Sequence, residues 1–272
     1  MTTADELAAA GATPPLASAF YDDIADVYDI QMSRMPGDVW ARDAFQDFVT
    51  RDLSPGGLLL DFGCGTGIDA RAYAAKGFRV IGYDSSPGMA RVAMNRCQAA
   101  DAGGRAAILS FPYEKFLRKP WPMERPTAIV ANFAVLNLVP SLGEAFARFH
   151  EILGAGGNVF LSLLNPCFVQ NAVTPGLRRT MLRAVLRGVA EFPSAKVPTL
   201  LYREGFVRRE ARPHFRVDRR AGIGAIVNGD AIEGSWAAPL GLRERVERRL
   251  FATRVMAGAG KFTFLKLRRD TG

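Results

Sequence analysis

The sequence predicts an α/β fold, a mainly parallel sheet with helices on both faces, and three observations carry that prediction. An apolar run, Leu58-Leu59-Leu60, breaks into the alternating glycines Gly63, Gly65 and Gly67 and passes at once into the helical pattern Ile68 to Ala75. This is strand, tight turn and helix, the first half of a nucleotide-type βαβ unit. A second strand, Phe78 to Tyr83, follows and ends in Asp84, and strand-like and helical stretches continue beyond it almost to the end of the chain.

Taken in order, residues 1–16 hold Ala, Thr and Pro without a period and read as a mobile tail, with 17–272 as one domain. Ala19 to Asp29 and Val39 to Asp52 carry apolar residues at helical spacing with Pro36-Gly37 as the turn between them, so 17–52 is expected to form a helical cap. The first strand is Gly57 to Asp61, and its helix runs to about Lys76 with Gly77 beyond its end. Ser86-Pro87 opens the next helix, to about Ala102. Ala106 to Phe111 is the third strand, Thr127 to Phe133 the fourth, Leu142 to Leu153 a helix and Asn158 to Leu164 the fifth strand. An insertion, about 166–212, contains a basic amphipathic helix, Gly176 to Ala190, and a strand-like Lys196 to Arg203. Phe215 to Val227 and Lys261 to Arg268 are the last two strands, joined by a helix around Leu240 to Phe251.

The glycine turn points to a ligand. Glycines let a backbone pass close beneath a bound group, and an acidic residue roughly 20 residues further on, here Asp84, is placed to accept from a ribose diol. The ligand therefore contains adenosine. A dinucleotide site wants G-x-G-x-x-G, but here Gly67 follows Gly65 by two positions and Ile68 stands where the last small residue belongs. Asp61, just before the turn, would repel a diphosphate and attract an ammonium or sulfonium group.

Asp61-Phe62-Gly63-Cys64-Gly65-Thr66-Gly67 resembles the D/E-x-G-x-G-x-G signature of class I S-adenosylmethionine-dependent methyltransferases of the small-molecule type, and further segments resemble that family in order. They are Val80 to Met89, Ala131 to Asn137 at the end of the fourth strand, Ile152 to Gly157 before the fifth, and Phe20 to Asp29, similar to the helix that often covers the cofactor. The resemblance runs from about Phe20 to Arg268. It implies a Rossmann-like seven-stranded mixed sheet of strand order 3-2-1-4-5-7-6, S-adenosylmethionine as cofactor with S-adenosylhomocysteine as product, and a role for 166–212 on the substrate side.

By the same resemblance Asp61 anchors the turn and approaches the donor's amino group, while Gly63, Cys64, Gly65, Thr66 and Gly67 run beneath its amino-acid tail. Asp84 takes the ribose hydroxyls, Ser85 and Met89 flank the adenosine, and Asn132, Phe133 and Ala134 line the methyl end. Ser110 and Phe111 stand where the family often places an acidic residue beside adenine, so a hydroxyl or backbone group is expected there instead. Tyr21 and Tyr28 belong to the cap. Asn137, Phe168, Tyr202 and Trp236 are expected on the acceptor side. No catalytic residue is assigned, because His150 and His214, the two histidines, read as packing or surface residues and methyl transfer needs a base only for a protonated acceptor.

Composition narrows the classes. Three cysteines without a C-x-x-C pair argue against a disulfide framework or a structural zinc, and no ligand pattern argues for a metal. The absence of an apolar run of roughly 18–20 residues and of a leader pattern predicts no membrane span and a cytoplasmic protein. A net charge of +8, largely arginine in the second half, raises a nucleic-acid or lipid partner, but aromatic residues are not interleaved as in a single-strand-binding groove. A small-molecule acceptor in specialised metabolism is the favoured partner. The alternatives are an RNA or other nucleic-acid methyltransferase, to which Asn165-Pro166-Cys167-Phe168 lends a likeness, and a non-catalytic S-adenosylmethionine-binding subunit. Accepting atom and oligomeric state are not written in these residues.

Overall fold

The computed structural model describes residues 14–99, 104–192, 195–225, 245–247, 249–251 and 253–270. Three helices, α1 (Pro14–Ile24), α2 (Tyr28–Ser33) and α3 (Pro36–Thr50), precede β1 (Leu58–Phe62). Then come α4 (Ile68–Ala75), β2 (Arg79–Asp84), α5 (Pro87–Ala99), β3 (Ala106–Ser110), α6 (Tyr113–Arg118) and β4 (Ala128–Ala131). A 3₁₀ turn, Val135–Leu138, leads to α7 (Leu142–Ile152) and β5 (Asn158–Leu164). Beyond it lie α8 (Val169–Val173), α9 (Pro175–Arg187), β6 (Val189–Glu191), β7 (Leu200–Tyr202), α10 (Glu204–Ala211), β8 (Phe215–Ile223), α11 (Arg254–Ala259) and β9 (Phe262–Arg269).

Seven strands form one sheet in the order β3-β2-β1-β4-β5-β9-β8, and β6 and β7 pair separately. With β8 and β9 counted as its sixth and seventh strands this is 3-2-1-4-5-7-6, the expected order. The first five are parallel, and β9 enters antiparallel between β5 and β8. Parallel strands covered on both faces lose the apolar/polar alternation, which is why β1 reads Leu-Leu-Leu-Asp-Phe and is buried throughout. Alternate residues still serve opposite cores. Leu58, Leu60 and Phe62 pack with Phe116, Phe146 and Phe149 on one face, while Leu59 packs with Phe45, Phe48 and Tyr73 on the other. Each such side chain contributes about 1.5–3 kcal/mol on burial.

Local chemistry sets the helix starts. Ser86 caps α5 by accepting from the Met89 amide, with Pro87 as the first helical residue. Ser141 and Glu144 stand at the positions of a capping box on α7, with Ser141 accepting from the Glu144 amide.

The structure differs from the expectation in several places, these among them. Pro36-Gly37 is the first turn of α3 rather than a linker, because a proline already has helical φ and loses no hydrogen bond there. The basic helix stops at Arg187, not Ala190: Gly188 takes the left-handed cap at φ +85°, and Val189 to Glu191 then pair antiparallel with β7. Strand β8 ends at Ile223, and residues 226 and 227 lie outside the described residues. Of the expected helix Leu240 to Phe251, residues 245–247 and 249–250 are helical and 240–244 and 248 lie outside the described residues, while the short α11, packed near β8 and β9, was not foreseen.

Candidate cofactor site

The carboxyl ends of β1, β2 and β4 meet at the glycine turn, where open α/β sheets bind ligands. Gly63, Gly65 and Gly67 all sit at positive φ, +70°, +53° and +79°, a region L side chains occupy only at a cost of about 1–2 kcal/mol. The alternation also divides labour. A Cβ on Gly63 would meet Val135 Cγ2 at 2.1 Å and one on Gly67 would meet Ala93 Cα at 2.9 Å, whereas one on Gly65 would meet nothing within 4 Å. Gly63 and Gly67 therefore permit close packing, and Gly65 faces open space. The Gly63 and Cys64 amides donate to the Tyr83 carbonyl at 2.7 and 3.0 Å, tying the turn to β2.

That open space is a cavity of about 770 Å³, mouth included, lined by Gly63, Gly65, Asp84, Ser85, Met89, Asn132, Phe133, Tyr21 and Tyr28 among others. Nine of the expected residues thus converge. Asp84 closes β2, and its two carboxylate oxygens accept from the Gly65 amide at 2.8 Å and the Ser86 amide at 2.9 Å. Burial pushes its pKa up to about 6 against those two stabilising donors.

The remaining residues of the turn lie behind the cavity. Asp61 is buried with one carboxylate oxygen unpartnered among the described residues. Burial, and then the neighbouring Asp69 carboxylate, hold it well above the usual range. Cys64 is buried against Gly82. Thr66 donates its hydroxyl to Asp29 of α2 at 2.6 Å. Ala134, at φ +61°, donates its amide to the Ser162 carbonyl. Ser110 is exposed, pairs in register with Asp84 and does not line the cavity; Phe111 packs at a tilt on Tyr83, and its carbonyl accepts the Tyr83 hydroxyl at 3.1 Å.

Helices α1 and α2 cover the mouth. Aspartates on these helices and in the turn between them grip α5 one turn after another: Asp22 accepts from Ser86 Oγ and the Gly88 amide, both at 2.6 Å, Asp26 pairs with Arg91, and Asp29 with Arg96. Ser18 donates to the Ser85 carbonyl. Beneath the cap Asp69 accepts from Arg42 at 2.6 Å, Gln46 at 2.8 Å and Asn132 at 3.0 Å, while Asn132 accepts from the Phe133 amide. The Arg42 guanidinium lies 4.2 Å from the Phe133 ring centroid. This network holds the strained pair Phe133 and Ala134, both at positive φ, at the end of β4.

The acceptor-side expectations fare differently. Asn137 is fully buried, donating to the Leu200 carbonyl and accepting from the Leu164 amide, so its amide staples β7 and β5 to the 3₁₀ turn rather than lining the cavity. Tyr202 is spent likewise, its hydroxyl on the Val139 carbonyl at 2.8 Å. Phe168 lines a separate cavity with Leu164, Leu177 and Leu201. Trp236 lies outside the described residues. Asn165 donates to the Gly258 and Gly260 carbonyls and accepts from the Cys167 amide, a structural use of that tetrad. His150 and His214 face each other at 4.9 Å between ring centroids, on α7 and just before β8, outside the cavity lining.

Cavity residues that the sequence did not reveal include Ser18, Tyr83, Tyr113, Val135, Leu138 and Val139. Tyr83, one residue before Asp84, could have been found from the strand end; the others sit on helices and turns whose facing no period reports. No histidine lines the cavity, and burial raises the hydroxyl pKa of Tyr21, Tyr28 and Tyr113. Among the described residues the lining thus offers alignment and water exclusion, with Asp84 its one carboxylate.

Comparison with known proteins agrees with this geometry. The chain is 28% identical over 146 residues to demethylmenaquinone methyltransferase of Thermobifida fusca, covering 53% of this chain and 59% of that one. It is 30% identical over 112 residues to ubiquinone biosynthesis O-methyltransferase of Pseudomonas aeruginosa, covering 40% and 45%. The chain therefore spans about half the length of the curated relatives it matches. Geranyl diphosphate C-methyltransferase from Streptomyces coelicolor shares the fold, with TM-score 0.56 at 16% identity over 84% of this chain and 78% of that one. A family model described as a methyltransferase domain matches residues 37–206, from the cap through the glycine turn to α10. With the strand order and turn geometry above, the chain belongs to the class I S-adenosylmethionine-dependent methyltransferases.

Proposed function

We propose that this single domain holds S-adenosylmethionine in the cavity before Gly65 and transfers its methyl group to a small-molecule acceptor in the cytoplasm. The observation that carries the reading is Asp84: a half-buried carboxylate, fixed by two backbone amides, facing the open space in front of Gly65. Two features fit the cofactor. A glycine at 65 leaves the space a Cβ would fill, and the Asp61 oxygen without a partner among the described residues is a spare acceptor below the turn. When bound, the cofactor supplies a sulfonium methyl open to in-line displacement.

The chain's residues do the rest. Asp84 takes the ribose hydroxyls, Gly63, Gly65 and Gly67 run beneath the amino-acid tail, and Ser85 and Met89 flank the adenosine. Asn132, Phe133 and Ala134 form the methyl end, held in place by Asp69. Tyr21 and Tyr28, edge to face at 6.1 Å, exclude water from above. Alignment of this kind is worth about 7–11 kcal/mol in favourable cases, and an acceptor that enters protonated must in addition release its proton to solvent or to a base.

The names of the two curated relatives make quinone-ring precursors the acceptors to test first. Calorimetry of the purified chain with S-adenosylmethionine and S-adenosylhomocysteine tests the binding, and transfer of labelled methyl to demethylated quinones tests the acceptor class. Failure of either cofactor form to bind, with a folded protein, refutes the reading. Binding without transfer to any extracted small molecule favours a non-catalytic subunit.

A further inference from the structure

Helix α9 has one face that the fold does not use. Its buried side is Thr180 and Ala184, together with Leu177, which closes the cavity that holds Phe168. On the far side Leu182 and Leu186, one turn apart, are 49% and 84% exposed, with Val185 beside them and Val169 of α8 49% exposed. Arg178, Arg179, Arg183 and Arg187 flank these leucines, all exposed, and α9 holds no acidic residue. None of the four forms an ion pair with a described carboxylate. Arg203, donating to the Val185 carbonyl, adds a further positive charge at the helix end.

Exposed leucines set among unpaired arginines have one natural counterpart, a surface that is apolar just beneath an anionic layer. We propose that α9 docks on an anionic lipid bilayer, with Leu182 and Leu186 entering the acyl boundary and the arginines meeting the headgroups. A nucleic-acid backbone would engage the arginines and leave the leucines idle, and this face offers no aromatic platform for bases. A second copy of the same face would set arginine against arginine across a two-fold axis. Among the described residues no helix is long and apolar enough to cross a membrane, so the contact is peripheral. The proposal goes beyond the cofactor reading and does not depend on it.

The test is co-sedimentation of the full chain with vesicles of phosphatidylcholine alone, or with about one part in three phosphatidylglycerol, at low salt and at about 0.5 M salt. The expected result is partition onto the anionic vesicles that falls at high salt. At about fivefold per arginine, Arg178→Gln/Arg179→Gln/Arg183→Gln/Arg187→Gln lowers the partition by at least ~100-fold. Leu182→Ser/Leu186→Ser lowers it about tenfold or more with the charge intact. Melting temperature, read in parallel, stays within a few degrees because these side chains are on the surface. No partition at low salt, equal partition onto neutral vesicles, insensitivity to the leucine pair, or preferential retention on polyuridylate overturns the proposal.

Discussion

Replacing Asp84 by Asn tests the cofactor site most directly, because its effect on affinity and its effect on pH dependence are separable. In the free protein burial raises the Asp84 pKa to about 6. Hydroxyl donors from a ribose favour the ionised form, so binding lowers that pKa. By linkage the affinity is then full above about pH 6 and falls as pH drops through it. One unit below its pKa the carboxylate is only about a tenth ionised, so at about pH 5 the wild-type dissociation constant for S-adenosylhomocysteine rises roughly tenfold over that at about pH 8. The folding contribution has the opposite sense: a raised acid pKa destabilises the free fold as pH climbs from about 4 to 6.

Asparagine abolishes both effects. It cannot ionise, and its amide nitrogen must face either the Gly65 or the Ser86 N–H, setting donor against donor where the carboxylate now accepts at 2.8 and 2.9 Å. Losing charge-assisted bonds to the ribose weakens binding about 10–100-fold near pH 8. Isothermal calorimetry across this range reads both quantities. A flat wild-type profile, or an Asp84→Asn protein with wild-type affinity, refutes the assignment.

Three other perturbations separate the parts of the site. Gly63→Ala drives a methyl into Val135 and costs about 3 kcal/mol or more in urea denaturation, whereas Gly65→Ala costs only the ~1–2 kcal/mol of left-handed strain yet abolishes S-adenosylhomocysteine binding; the reverse pattern refutes the division of labour in the turn. Asp69→Ala leaves Arg42 buried without its carboxylate and lowers stability by about 3–5 kcal/mol; a loss below about 1 kcal/mol shows that the network does not hold the loop after β4. Asp22→Ala frees α1 from the start of α5, and stopped-flow release of S-adenosylhomocysteine quickens about tenfold, equivalent to about 1.4 kcal/mol. An unchanged release rate removes α1 from the lid.

Much of the cofactor side was readable because its chemistry is local. The turn from Asp61 to Gly67 is contiguous, its positive-φ positions accept only glycine without strain, and Asp84 ends the next strand, so spacing alone brings it alongside. Asp84, Met89 and Asn132 line the cavity for that reason. The acceptor side is less legible for the opposite reason. The family likeness places Asn137 and Tyr202 there, but their polar atoms are consumed by the Leu200 and Val139 carbonyls, partners 63 residues away in the chain. Tyr113, Leu138 and Val139 enter the cavity from a short helix and an irregular turn, where no hydrophobic period says which side faces inward.

Periodicity made the fold class legible and the family likeness the strand order, and the residues expected at the adenosine end converge on one cavity because glycine stereochemistry and one carboxylate at the end of a strand are local features. Only the tertiary structure decided that Asp69 gathers Arg42 and Gln46 of α3 and Asn132 after β4, that Asp22, Asp26 and Asp29 latch the cap onto α5, and that the leucines of α9 face outward. Those outcomes depend on which surfaces compete for burial and which buried polar groups find partners, and both are properties of the whole packed chain.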